Sequence, residues 1–243
     1  MKKLVAIIGS PRGYNSKTYE IAYKISEGLE NKNINISSKF FILSELEINK
    51  CTGCLGCFAK CSSCVSFSDS MDVLEKSMLD ADLIIFGSPV YAHNITGDMK
   101  IFFDRICHFL HTMKLVGKYG VTISTSSSNG NIFVNDYLLK MMEYLGIGVI
   151  DQISYISQRE FEEKHITKCI DNIAGVLNGQ ISLPPSKFKE QIFNIYKKIY
   201  FENYQKSLMN KNTMKNQEAC YWHDNGYFNY NSFEELFNVM KNK

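Results

Sequence analysis

Apolar residues along this chain follow two alternating rhythms. Residues 3–9 (Lys-Leu-Val-Ala-Ile-Ile-Gly) and 83–87 (Leu-Ile-Ile-Phe-Gly) are short unbroken runs ending in glycine. Runs of that length are too short for helices and predict strands buried on both faces. After the first run the spacing changes to threes and fours, with Ile21, Ala22, Ile25 and Leu29 marking a helix over 16–31. Residues 36–43 alternate as an edge strand does: Ile36, Phe40 and Ile42 are apolar and Lys39 interrupts. Further helices are predicted over 71–81, with Ser68 or Asp69 as the cap, and over 96–111, 132–145 and 161–177. Further strands are predicted over 120–124 and 148–156. Five strands with a helix between neighbours predict an α/β fold with a parallel sheet and right-handed crossovers. In such sheets ligands sit at the carboxyl ends of the strands, at the switch in strand order.

Residues 180–243 break this pattern. Pro184-Pro185 opens the segment, a helix is predicted over 188–208, and a polar stretch at 210–217 leads to Ala219-Cys-Tyr-Trp-His-Asp-Asn-Gly226. A short helix over 233–240 ends it. The segment has too few apolar residues to fold alone, so it is expected to pack on the core or on a partner subunit. The chain is thus read as a domain over 1–179 and an extension over 180–243.

Composition narrows the function classes only a little. Of 243 residues, 45% are hydrophobic and 21% charged, as in a globular protein with a substantial core. A net charge of +2 and the lack of a basic, aromatic-laced stretch argue against nucleic acid as partner. The first apolar run, 4–8, is too short for an export signal, and no later run approaches the ~20 residues of a membrane span. A cytoplasmic protein is therefore expected. In a reducing compartment its eight cysteines would bind metal or do redox work sooner than form disulfides.

Five of those cysteines fall within fourteen residues: Cys51-Thr-Gly-Cys54-Leu-Gly-Cys57-Phe-Ala-Lys-Cys61-Ser-Ser-Cys64. Thiolates at i, i+3 and i+6 can fold around an iron–sulfur cubane, with Gly53 and Gly56 permitting the tight turns. Cys61 and Cys64 compete for the fourth position. Zinc is the alternative metal, but zinc hooks come as two separated pairs and this triple run fits them poorly. Cys107 and Cys169 lie among apolar neighbours and read as inert core thiols. His108 and His111 read as a partly exposed helix face, and Cys220 as an anchor of the extension or part of a cover over a neighbouring subunit's site.

Three polar loops follow predicted strands. Gly9-Ser10-Pro11-Arg12-Gly13-Tyr14-Asn15-Ser16-Lys17-Thr18 opens the first helix, where backbone N–H groups, the helix dipole and Arg12 would meet a phosphate. It matches neither G-x-G-x-x-G nor G-x-x-x-x-G-K-[ST], which disfavours a dinucleotide fingerprint and a nucleoside-triphosphate loop. Gly87-Ser88-Pro89-Val90-Tyr91 presents Tyr91 as a flat surface for an aromatic ring, and Thr125-Ser-Ser-Ser-Asn129-Gly130 supplies a third wall.

With Asn94-Ile-Thr-Gly-Asp-Met-Lys and Phe103-Asp104-Arg105, these loops resemble the flavodoxin-like NAD(P)H-dependent FMN reductase superfamily over about residues 1–175. The resemblance implies a doubly wound five-stranded sheet of order 2-1-3-4-5, bound FMN, and a homodimer or homotetramer that completes the flavin pocket. It implies that Ser10, Arg12, Ser16 and Thr18 hold the phosphate. Pro89, Val90, Tyr91 and Asn94 would line the ring, with Ser126, Ser127, Ser128, Asn129 and Gly130 on its other border. Within that superfamily the cysteine loop is similar to that of the iron–sulfur flavoproteins, whose longer last spacing favours Cys64. That implies a [4Fe-4S] cluster on Cys51, Cys54, Cys57 and Cys64. The function expected is a flavin-dependent oxidoreductase relaying electrons between ferredoxin or NAD(P)H and an acceptor. The rivals are a cluster-free NAD(P)H-dependent FMN or quinone reductase, with NAD(P)H as donor, and a non-catalytic electron-transfer flavoprotein. No nucleic acid and no membrane are expected as partners.

Overall fold

The computed structural model describes residues 1–60, 64–159, 163–209 and 216–242. Five strands form the sheet: β1 (Lys2–Ile8), β2 (Ile36–Ile42), β3 (Leu83–Pro89), β4 (Tyr119–Ser126) and β5 (Gly148–Ile156). All pair in parallel in the order β2-β1-β3-β4-β5, the order of a flavodoxin-like fold. The central strands carry the unbroken apolar runs and are almost wholly buried, whereas β2 and β5, at the edges, expose part of one face. β3 and β4 run past the predicted ends because Pro89 still pairs with Thr125 at the last rung, where a missing N–H costs nothing.

Helices cover both faces. α1 (Lys17–Asn31) and α7 (Lys164–Leu177) close a core with Ile21, Ile25, Leu29, Ile170 and Ile173 against Leu4, Ile85 and Ile123. The other face is covered by α3 (Met71–Asp80), α4 (Gly97–Arg105), α5 (Cys107–Thr112) and α6 (Asn131–Leu145). Their Met78, Met99, Phe102, Phe109 and Leu138 pack on Val5, Ile84 and Phe86. The single helix predicted over 96–111 is two, broken at Ile106 (φ −99°, ψ 15°); the apolar spacing continues across the break and gives no sign of it. Inside the cysteine loop a short helix, α2 (Gly56–Lys60), was not predicted.

In the extension, α8 (Lys187–Met209), α9 (Gln217–Asp224) and α10 (Phe233–Met240) build an aromatic cluster around Trp222. Phe193, Tyr200, Tyr227, Phe233 and Phe237 surround it, and Met113 and Val116 contribute from the sheet domain. α9 was not predicted as a helix. Asn216 caps it, its Oδ1 accepting from Ala219 N at 2.8 Å, and buried Trp222 donates from Nε1 to His111 O at 3.1 Å. Among the described residues, no helix is long and apolar enough to cross a membrane.

Candidate functional site

At the carboxyl ends of β1, β3, β4 and β5, on both sides of the switch between β1 and β3, lies a cavity of about 260 Å³. Ser10, Arg12, Ser16, Lys17 and Thr18 line one end. Pro89, Val90, Tyr91, Thr125, Ser126, Ser127, Tyr155 and Ser157 line the other. Nine of the thirteen predicted cofactor residues thus meet around one space. A larger cavity of about 430 Å³ lies at the opposite, amino-terminal edge of the sheet, beneath α10 and beside Lys189. It is far from the three loops, and its polar lining mixes that lysine with Glu143, Asp151 and Glu234.

The first end is built to receive an anion. The hydroxyls of Ser16 and Thr18 are engaged within the fold: Ser16 Oγ donates to Gly13 O at 2.7 Å and accepts from Tyr19 N, and Thr18 Oγ1 meets Thr125 Oγ1 at 2.8 Å. Ser10 Oγ accepts from Arg12 N at 3.4 Å. What remains for a phosphate is the first turn of α1, whose leading N–H groups have no partner inside the helix, together with Arg12; Lys17 is paired with Glu20, its Nζ donating to Oε1 at 2.7 Å. Lys17 Nζ lies 4.9 Å from the centroid of the Tyr155 ring. Gly13 makes the turn possible with φ +58°, and a Cβ there would stand 2.8 Å from Glu45 Oε1.

At the other end Val90 N donates to Thr125 O at 2.8 Å, holding two of the loops together. Tyr91 and Asn94 exchange backbone hydrogen bonds of 2.9 Å across a two-residue turn, with Ala92 and His93 both at positive φ. Tyr91 is half exposed beside the cavity. Asn94, Ser128, Asn129 and Gly130 stand outside the lining. Asn94 Oδ1 instead accepts from Ile95 N, while Ser128 and Asn129 are exposed beyond the wall. Gly130 (φ +89°) starts α6, where a Cβ would come within 2.6 Å of Val90 Cγ1. Lys17 and Thr125 belong to the loops read as walls but are not among the residues expected to hold the cofactor, and Tyr155 and Ser157 lie outside those loops altogether. The pairing of β4 with β5 brings Tyr155 and Ser157 to the cavity, and no local motif announces that.

The cysteine loop starts after a single 3-10 turn (Leu43–Glu45) that follows β2 and returns at α3, stapled at its base by a buried ion pair. Arg105 Nη1 and Nη2 donate to Asp69 Oδ2 and Oδ1 at 2.6 and 3.1 Å, and Nη1 also donates to Asn49 O at 2.8 Å. Asp69 further accepts from Asn49 N and Met71 N, so it caps α3. Burial works to raise the Asp69 pKa, but these hydrogen bonds outweigh it and hold the carboxyl well below the usual range.

Within the loop the thiols face different neighbours. Cys54 Sγ meets Ser66 Oγ at 3.2 Å, and that hydrogen bond lowers its pKa. Cys64 adjoins Arg105. Cys57 is partly buried, which raises its pKa, while the neighbouring Phe58 amide and Cys107 side chain work to lower it. Among the described residues no three Cys, His, Asp or Glu side chains converge as a metal site; Cys61 lies outside the described residues. Cys107 is half buried rather than set within the core, unlike fully buried Cys169. His108 departs from expectation as well. It is 2% exposed, neither ring nitrogen has a hydrogen-bond partner, and burial pushes its pKa down to about 4. His111 is the partly exposed one, its Nδ1 meeting Glu218 Oε1 of α9 at 2.5 Å.

Residues 2–161 match the family described as NADPH-dependent FMN reductase. An iron–sulfur flavoprotein of Archaeoglobus fulgidus is 39% identical over 150 residues, covering 60% of this chain and 64% of that protein. One from Clostridioides difficile is 33% identical over 124 residues, covering 50% and 53%. The chain thus spans somewhat over half the length of these curated relatives. Among solved structures, an apo NADH:FMN oxidoreductase superposes with a TM-score of 0.55 at 19% identity, covering 78% of this chain and 94% of that one. At that identity it shares the fold.

Proposed function

We propose that this chain, which belongs to the NADPH-dependent FMN reductase family, is an FMN-dependent oxidoreductase of the iron–sulfur flavoprotein branch. The observation that carries the reading is the cavity at the β1/β3 switch, cationic at one end and aromatic at the other. FMN fits it in kind: an anion at the start of α1 beside Arg12, and a flat ring beside Tyr91, Pro89 and Val90. When bound, FMN would supply transfer of one or two electrons, which no side chain here can do. The protein's own part is placement. The amides of the α1 first turn would donate to the phosphate and Arg12 would offset its charge, the Val90–Thr125 bond fixes the spacing of the two ring-side loops, and Tyr91 and Tyr155 would border the ring.

The cysteine loop supports an iron–sulfur cluster by the chemistry of its donors, since five soft thiols in one loop are the ligand type such clusters take. Cys51, Cys54, Cys57 and Cys64 would hold it. Electrons would come from a ferredoxin or NAD(P)H and pass to an acceptor. The exposed Tyr14, Tyr91, Ile132 and Phe133 support covering by a second copy of the chain. One observation favours a cluster-free NAD(P)H-dependent FMN or quinone reductase as the second reading: the described thiols point to separate neighbours.

The test is an absorption spectrum with iron and sulfide analysis on protein purified without oxygen, repeated on Cys57→Ala. Flavin bands over a broad brown absorbance, about four irons per chain and iron loss in the variant are expected. A yellow, iron-free protein moves the conclusion to the second reading, and a colourless protein that takes up no added FMN overturns both.

A further inference from the structure

The cavity of about 430 Å³ lies where α8 and α10 close over the start of β5 and the end of α6, apart from the flavin cavity. Lys189 of α8 lines it although only 2% of the residue is exposed. Its Nζ donates to Ile147 O at 2.5 Å and lies 5.4 Å from the centroid of the Phe233 ring. An ammonium carries three N–H donors, and with one spent on Ile147 two remain. Glu143 of α6, also buried, lines the same space. The two helices meet there, since the adjoining Tyr144 and Phe188 rings pack edge to face at 5.7 Å. Among the described residues no hydrogen bond or ion pair engages the Glu143 carboxylate, Lys189 included. The walls are anchored. Ser186 Oγ accepts from Lys189 N at 3.0 Å, and the Glu190 carboxylate accepts from Phe233 N and Glu234 N at 2.9 and 3.0 Å, tying α8 to α10.

A buried ammonium and a buried carboxylate that share a space without pairing are costly unless something joins them. Burial pushes the Lys189 pKa down to about 8 against the pull of Glu143, so the ammonium keeps its charge at neutral pH. An anionic ligand would gain from Lys189 but meet Glu143, with Asp151 and Glu234 also in the lining. A cation would meet Lys189. A neutral amide satisfies both, its C=O accepting from Nζ and its N–H donating to the carboxylate, and such charge-assisted bonds are the strong ones. Leu139, Val149, Pro184, Phe233 and Phe237 supply an apolar surround suited to a ring.

We propose that this cavity is a second ligand site, for a small neutral amide or lactam with a ring-shaped body, its carbonyl received by Lys189 and its N–H by Glu143. The test uses the full chain with FMN added, at pH 7, and three probes that share one ring: benzamide, benzoate and benzylammonium. The methyl resonances of Leu139 and Ile150 report binding by nuclear magnetic resonance, and the thermal midpoint checks folding. Benzamide is expected to shift them with a Kd on the order of 1 mM, and the charged probes to bind about tenfold more weakly. Glu143→Gln should bring benzoate to the affinity of benzamide. Lys189→Met should weaken benzamide about tenfold and end the discrimination against benzylammonium. If Lys189→Met lowers the midpoint, Glu143→Gln, which keeps size and shape, carries the test. No shift with benzamide, tighter binding of either charged probe, or wild-type preferences in Glu143→Gln each overturns the inference.

Discussion

Replacing Arg105 by methionine should be the most damaging single change outside the sheet core. The Arg105 and Asp69 side chains are 2% and 4% exposed, so solvent screens the pair little. Removing the guanidinium leaves the Asp69 carboxylate buried with only the amides of Asn49 and Met71 and the Asn49 side chain. Stranding one member of a buried pair costs about 3–5 kcal/mol. For a domain of this size that is a fall of about 6–20 °C in Tm. Asp69→Asn added to Arg105→Met should regain part of the loss, because the amide oxygen still caps α3 and no charge is left uncompensated. Urea unfolding at neutral pH, followed by circular dichroism, gives both numbers. The pH dependence carries the same sign. Since the folded pKa of Asp69 lies below its unfolded value, the pair's contribution is complete above about pH 4 and is lost as pH falls further. That acid loss should be smaller in Arg105→Met. A single variant within about 1 kcal/mol of wild type, or a double variant less stable than the single, would refute the reasoning.

Three further outcomes follow from the same geometry. Arg12→Ala should weaken FMN binding about tenfold, the worth of one charge-assisted hydrogen bond, in a flavin-fluorescence titration; an unchanged Kd would take Arg12 away from the phosphate. Gly13→Ala forces a side chain to φ +58° and should cost about 1 kcal/mol of stability together with weaker FMN binding, whereas Gly97→Ala, which meets open space, should cost neither. His108 is neutral and buried with a pKa near 4 against 6.5 when unfolded, so stability should decline between about pH 6.5 and 4, by on the order of 3 kcal/mol. His108→Phe should flatten that slope in chemical unfolding measured across the range, and a slope equal to wild type would show that His108 gains a partner for its proton.

What the sequence disclosed and what it withheld divide along a physical line. Features written in adjacent residues were legible: the buried runs of β1 and β3, the start of α1 at Ser16, and the loops that follow the strands. Strand order brings those loops together, so nine of the thirteen proposed cofactor residues meet at one cavity. Features that depend on distant partners were not. Thr18 reads as a phosphate hydroxyl, yet in the fold it is spent on Thr125, more than a hundred residues away. Tyr155 and Ser157 enter the cavity only through the register of an edge strand. Cys107 reads as a core thiol because its neighbours in sequence are apolar, but just after the break at Ile106 it is only half buried.

That break gives α4 and α5 a role neither motif suggests. Thr96, the cap of α4, donates from Oγ1 to Gly9 O at 2.6 Å and from its backbone N–H to Ser88 Oγ at 3.1 Å, so the helix starts locked between the first two cavity loops. Nine residues later its last turn places Arg105 on Asp69 and Asn49, at the base of the cysteine loop, and α5 then packs His111 against Phe58 of α2. A helix of that length spans about 14 Å, rising 1.5 Å per residue. Phe102 and Phe103 pack under Phe86 of β3, so this spacer is part of the core and not a surface bridge. The two candidate sites are therefore held at a fixed separation by one helix whose inner face is buried in the core. A core substitution there, such as Phe102→Ala, should disturb flavin affinity and the cysteine loop together, whereas a change confined to either loop should disturb one alone.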